Sequence, residues 1–202
     1  MHYTLIVGSH RPNAQSLKVA EWLQHHLQER GNTTDVLHLG NKNYPLWSED
    51  YWNSESDLAN TMANELEVCT KADGLIMIAP EWAGMVPAAL KNFLLYVNSK
   101  QVGHKPTLLV GVSAGRGGSY PIAELRMSGY KNAKLLYVPE HLIVQHVADV
   151  MNEPNPEAGE KADVYIKQRA LYALDVLELY TNALKPVRSD ERLWNEAYKN
   201  GM

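Results

Sequence analysis

Five short apolar runs alternate with helix-period segments along the 202 residues, and this alternation constrains the fold more than any other feature. The expected strands are Tyr3–Val7, Thr34–Leu39, Leu75–Ala79, Thr107–Val112 and Lys134–Val138. The first, third and fourth are almost continuously apolar, as strands covered on both faces should be. Between the first two, Ser16, Val19, Ala20, Leu23 and Leu27 recur on one helical face. A second helix is expected after Ser54, where "SESD" sets an acid three residues beyond a serine. A third opens at Pro87 and turns Leu90, Phe93, Leu94 and Val97 to the core, leaving Leu95 and Tyr96 off that stripe. A fourth is expected within 120–131 and a long last one within 158–184. Strand and helix in strict alternation imply a parallel sheet, and right-handed crossovers put helices on both of its faces.

Five strands fit the flavodoxin-like doubly wound order 2-1-3-4-5 better than a six-stranded dinucleotide fold, so the expected class is α/β. The chain length suits one domain, expected over 1–185, with a polar tail over 186–202. Net charge is −4, which offers no basic footprint for nucleic acid. No apolar run approaches the roughly 20 residues that span a bilayer. "MHYTLIVGSHR" reads as a first strand, so no secretory leader is expected there. The single cysteine, Cys69, cannot form an internal disulfide, which fits a reducing cytoplasm.

In an open parallel sheet, ligands bind beyond the carboxyl ends of the strands, where the order reverses between strands 1 and 3. Three loops would meet there. "GSHRPNAQS" leaves strand 1 and brings Ser9, Arg11, Gln15 and Ser16 to a helix N-terminus, whose free N–H groups and dipole favour an anion. It has neither G-x-G-x-x-G nor G-x-x-x-x-G-K-[ST] spacing, so one phosphate suits it better than two or three. "PEWAGMVP" leaves strand 3 with Pro80, Glu81, Trp82, Ala83 and Gly84. "SAGRGGS" leaves strand 4 with Ser113, Ala114, Gly115, Gly117 and Gly118, whose three glycines let backbone approach a flat ligand. Each loop alone is weak, but three on the three correct strands make a coherent site.

With "YPLWSED" and "PEWAGMVPAALKN", these motifs resemble the NADPH-dependent FMN reductases, a flavodoxin-like group of flavin, quinone, azo-dye and chromate reductases. The resemblance runs from about Thr4 to Leu136. It implies FMN, its phosphate held by the first loop and its ring flanked by the second and third. It also implies NADPH or NADH as reductant, with hydride passing through flavin N5 to a quinone, flavin or similar small acceptor. No catalytic side chain is implied, since the flavin carries the chemistry. The peptide groups around Glu81–Gly84 are expected at the ring, their main chain mattering more than the Glu81 charge. Family members commonly assemble in pairs, which with Leu95 and Tyr96 suggests a homodimer or homotetramer. The usual members carry Ser at Ala14 and Tyr-Asn at Trp82-Ala83; those departures bear on phosphate affinity and on substrate choice.

Other residues read more plainly. Cys69 fits a buried inert thiol on the second helix. His25 and His26 read as helix-surface or boundary residues, and His10 as a solvent-facing loop residue. The eight histidines show no metal spacing with acids or cysteine, so no metal is expected. Arg116 reads equally as a solvated loop arginine or a phosphate contact, and Trp47 and Trp82 as ring-pocket walls or hydrophobic plugs. The alternative from another class is a flavodoxin-like electron carrier without nicotinamide turnover; a phosphate-binding module without flavin is a third.

Overall fold

A computed structural model describes residues 1–42 and 44–201. Strands β1 (His2–Val7), β2 (Thr33–His38), β3 (Gly74–Pro80), β4 (Pro106–Val112) and β5 (Leu136–Val144) form one parallel sheet in the order β2-β1-β3-β4-β5. The helices are α1 (Gln15–Glu29), α2 (Asp57–Lys71), α3 (Ala88–Tyr96), the short α4 (Ser99–Val102), α5 (Ser119–Met127) and α6 (Lys161–Arg188).

Alternation along each strand divides the core in two. Leu5, Val7, Ile76, Ile78, Leu108 and Val110 face α1 and α6. Ile6, Leu75, Met77, Ala79 and Leu109 face α2, α3 and α5. Every residue of β3 and β4 is buried, the expected state of central parallel strands. α1 begins at Ala14, which supplies no side-chain cap. A missing cap costs about 1 kcal/mol. Full burial of Val19, Leu23 and Leu27 outweighs it, at about 1.5–3 kcal/mol each.

Three local expectations are corrected. β5 is displaced from Lys134–Val138 to Leu136–Val144, because Pro139 and Glu140 sit in a bulge and do not end the strand. The register passes from Thr107 opposite Tyr137 to Leu109 opposite His141. An edge strand tolerates a proline and a bulge that a central one would not. α2 starts at the N-cap Ser56, two residues after Ser54; Asn53 Oδ1 first accepts the Glu55 N–H, and Ser56 Oγ then accepts the Ala59 N–H at 3.0 Å. Tyr96 is fully buried, its hydroxyl donating to the Pro45 carbonyl at 3.0 Å, so only Leu95 of the expected exposed pair faces outward. α4 is too short to have carried a periodic signal.

The Pro/Glu-rich stretch after β5 is held by Lys167, which is wholly buried. Its ammonium donates to Glu153 Oε1 at 2.7 Å and to the Asn155 and Ala158 carbonyls at 3.2 and 2.9 Å, and pairs with Asp163 at 2.8 Å. α6 runs through Pro186, so the expected boundary at 185/186 falls inside the helix. Beyond it the chain packs against the residues that precede β4 and β5. Trp194 packs edge-on against His104 with ring centroids 5.6 Å apart, and Lys134 Nζ donates to the Tyr198 carbonyl at 3.1 Å.

Candidate functional site

The loops leaving β1, β3 and β4 converge on a cavity of about 240 Å³ at the carboxyl edge of the sheet. A larger cavity of about 520 Å³ lies at the opposite edge, between the residues preceding α4 and β5 and the C-terminal tail. Size alone would favour the latter. Position favours the former, because the strand order reverses there and loop backbone converges on it.

In the first loop Ser9 is buried, and its hydroxyl accepts the Arg11 N–H at 3.2 Å, curling the chain toward α1. With Ala14 at the N-cap, no side chain takes up the free N–H groups of the first turn. Ser16 is buried beside them, while Arg11 and Gln15 are exposed at the rim. Uncommitted amides, two hydroxyls and one guanidinium together can hold one phosphate-sized anion.

The second loop is a two-residue hairpin. Trp82 and Met85 exchange backbone hydrogen bonds at 3.2 and 2.9 Å, and Ala83 and Gly84 between them both have positive φ, +51° and +72°. Two successive left-handed residues define a type I′ turn, which favours Asn-Gly. Gly84 is needed for this φ, since a Cβ there would meet nothing nearer than Tyr120 at 4.0 Å. Two ties fix the hairpin's base: the Glu81 N–H donates to the Val112 carbonyl at 2.8 Å, and the Val86 N–H to Glu124 Oε2 at 2.7 Å. Glu124 also pairs with Lys91, joining α5 to α3. Trp82 stands edge-on to His10, centroids 4.5 Å apart.

The third loop winds around Ser113, whose hydroxyl accepts the N–H groups of Gly115 and Gly117 at 3.2 Å each. Glu81 reaches across and accepts the Gly118 N–H at 2.5 Å. A Cβ on Gly117 would come within 2.7 Å of that carboxylate, and one on Gly111 within 2.0 Å of the Gly118 carbonyl. The chain just after β5 supports this loop from behind: the His146 N–H donates to Gly115 and the Val147 N–H to Ser113, at 2.9 and 3.1 Å.

Of the residues singled out in the sequence, Ser9, Arg11, Gln15, Ser16, Pro80, Glu81, Trp82 and Ala114 line the cavity. Ala83 and Gly84 form the exposed hairpin tip, and Ser113, Gly115, Gly117 and Gly118 build the loop beside it. Val147 also lines the cavity and was not anticipated, because it follows the fifth strand, whose loop carries no glycine run. Trp47 packs elsewhere, edge-on to Trp52 at 5.0 Å. Arg116 is exposed. Cys69 is buried on α2, and burial, only partly offset by Lys105, pushes its thiol up to about 12.

A family model described as NADPH-dependent FMN reductase matches residues 1–149. An FMN-dependent NADPH-azoreductase of Staphylococcus aureus is 29% identical over 126 residues. That match covers 61% of this chain and 66% of the azoreductase, just under two thirds of its length. Among solved structures, the flavoenzyme NAD(P)H:(acceptor) oxidoreductase FerB from Paracoccus denitrificans superposes with a TM-score of 0.69 at 20% identity, over 89% of this chain and 98% of that one. An apo NADH:FMN oxidoreductase gives 0.64 at 16% identity, over 90% and 89%. At such identities the structural likeness speaks to the fold, which is the doubly wound sheet described above.

Proposed function

The chain belongs to the NADPH-dependent FMN reductase family, and from that premise we propose that it is an FMN-dependent NAD(P)H oxidoreductase that reduces a small acceptor such as a quinone or a flavin. The observation that carries this reading is the uncapped start of α1 facing a cavity walled by loops from β1, β3 and β4.

The residues present fit FMN. Ser9, Arg11, Gln15 and Ser16 would hold its single phosphate, where the free N–H groups of α1 need an acceptor. The backbone of Pro80–Gly84 and of Ser113–Gly118 would flank its ring, and Trp82 would pack beside it. When bound, FMN supplies the two-electron chemistry, taking a hydride from NAD(P)H and passing it on. The protein's part is to bind, to orient and to keep the loops rigid; no side chain is assigned a proton-transfer role. The Glu81 carboxylate faces the cavity but is committed to Gly118.

We further assign flavin binding to residues 1–185, with the tail as a packing element, and propose that the molecule pairs through the α3–α5 side, where Leu95 and Met127 are 62% and 77% exposed. Light scattering at micromolar concentration tests this, and a monomer mass would refute it. The function is tested by reconstituting the protein with FMN and titrating it anaerobically with NADPH and then NADH. Bleaching of the flavin band by either supports the reading. Reduction by dithionite alone would leave an electron carrier.

A further inference from the structure

Near the C-terminal end of α1, away from the three loops, His25, His26 and Glu29 bring one ligand atom each to within 4.8 Å of one another. Helical spacing brings Glu29 to both histidines, since residues three and four apart share a face. Glu29 Oε1 lies 3.3 Å from His25 Nε2, and Glu29 Oε2 lies 2.9 Å from His26 Nδ1. Metal–ligand bonds of about 2.0–2.1 Å place neighbouring ligand atoms about 3.0–3.4 Å apart; both Glu29–histidine separations suit that spacing, and binding would draw the two imidazoles together from within 4.8 Å.

His26 supplies a second, independent indication. The residue is only 6% exposed, and its Nε2 lies 3.0 Å from the Pro154 carbonyl. A carbonyl only accepts, so Nε2 is the nitrogen that donates to it and Nδ1 is the one turned toward the Glu29 carboxylate. A backbone carbonyl holding the far nitrogen of a ligating histidine is also the usual way such a ring is oriented. Trp22 packs at a 55° tilt against His26 with centroids 4.1 Å apart and donates to the Glu153 carbonyl at 3.1 Å, restricting the ring's orientation. Among the described residues, Glu29 is matched by these two imidazoles and by no lysine or arginine.

We propose that His25 Nε2, His26 Nδ1 and Glu29 form a site for a divalent transition-metal ion such as Zn²⁺, completed by water. Two imidazoles and one carboxylate select zinc, nickel or copper over magnesium or calcium. The bound ion would polarise the His26 N–H and tighten α1 against the segment at Glu153 and Pro154. It is remote from the flavin site and does not depend on the redox reading.

The test is calorimetric titration of the FMN-loaded protein with Zn²⁺, alongside His25→Ala and Glu29→Gln. Both positions are well exposed, so the variants should fold, and a thermal melt checks it. The expected result is one Zn²⁺ per chain, not displaced by excess Mg²⁺, with affinity weakened about tenfold or more in each variant. Zn²⁺ should also raise the melting temperature of the wild type more than that of either variant. No saturable binding would overturn the proposal, leaving His26 held between Pro154 and Glu29 by its hydrogen bonds alone. Equal affinity in the wild type and both variants would overturn it as well.

Discussion

Glu81 Oε2 accepts the Gly118 N–H at 2.5 Å, so the carboxylate of the loop after β3 holds the start of α5, which follows β4. The sequence suggested that Glu81 acts through its main chain. The structure shows both parts engaged, with the backbone N–H on Val112 and the side chain on Gly118. A hydrogen bond to a charged group contributes about 1.5–3 kcal/mol. Glu81→Ala should therefore loosen the third loop and weaken FMN about tenfold, and Glu81→Gln should fall between it and wild type. Fluorescence quenching by titrated flavin measures both. Wild-type affinity in Glu81→Ala would show that the tie is dispensable.

Arg11 is the exposed cation at the open start of α1. Arg11→Ala removes a charge-assisted contact of about 1.5–3 kcal/mol. FMN affinity should drop roughly tenfold or more, while riboflavin, which lacks the phosphate, should bind as before. A parallel loss for both ligands would make Arg11 a structural residue.

Two substitutions should stabilise the apo protein. Ala83 has φ +51°, a region that costs an ordinary L-residue about 1–2 kcal/mol and that asparagine tolerates better. Ala83→Asn should recover about 1 kcal/mol by supplying the Asn-Gly pair a type I′ turn prefers. Ala14→Ser should add about 0.5–2 kcal/mol by capping α1. Urea denaturation of each variant reads the change directly.

Glu124 makes the hairpin's attachment pH-dependent. Partial desolvation raises its pKa, but hydrogen bonds from Lys91 and from the Val86 N–H outweigh this and hold the carboxyl below its usual value. A folded-state pKa below the unfolded one means the stabilisation is present above about pH 4.3 and disappears as pH falls through the folded value. Glu124→Gln should thus lower the melting temperature at pH 7, and the gap to wild type should close in acid. A gap independent of pH would assign the effect to packing.

Cys69→Ser should leave turnover nearly intact, because the thiol lies on α2 and its raised pKa keeps it protonated. The variant should still lose about 1–3 kcal/mol of stability from a hydroxyl placed in an apolar setting. A flavin-loaded variant with most of its activity gone would contradict this.

The sheet was legible because its central strands are apolar without interruption, and the site because ligand-type residues leave the strands at its reversal point. What stayed hidden depended on distance in sequence. Pro139 reads as a strand end until β5 is known to lie at the edge, where a bulge absorbs it. Tyr96 reads as exposed until its hydroxyl is seen to reach the Pro45 carbonyl. Val147 and the Glu81 side chain entered through contacts made by segments far apart in the chain. Helical pairing of His25 and His26 with Glu29 was local, yet the two histidines read as helix-surface or boundary residues without regard to the acid three and four places on.

The near-contact of Gly111 with the Gly118 carbonyl has a consequence for how this protein can change. One wall of the cavity is interlocked: strand, glycine loop and Glu81 fit so closely that altering one member forces the others to shift. The hairpin tip beside the cavity, with Ala83 and Met85 and the neighbouring Tyr120, is exposed and meets no such obstacle. Variation in acceptor preference, by natural drift or by directed evolution, should therefore accumulate on the hairpin side and spare the glycine side. A library confined to residues 82–85 and 120 would sample new acceptors while keeping the rigid half of the site.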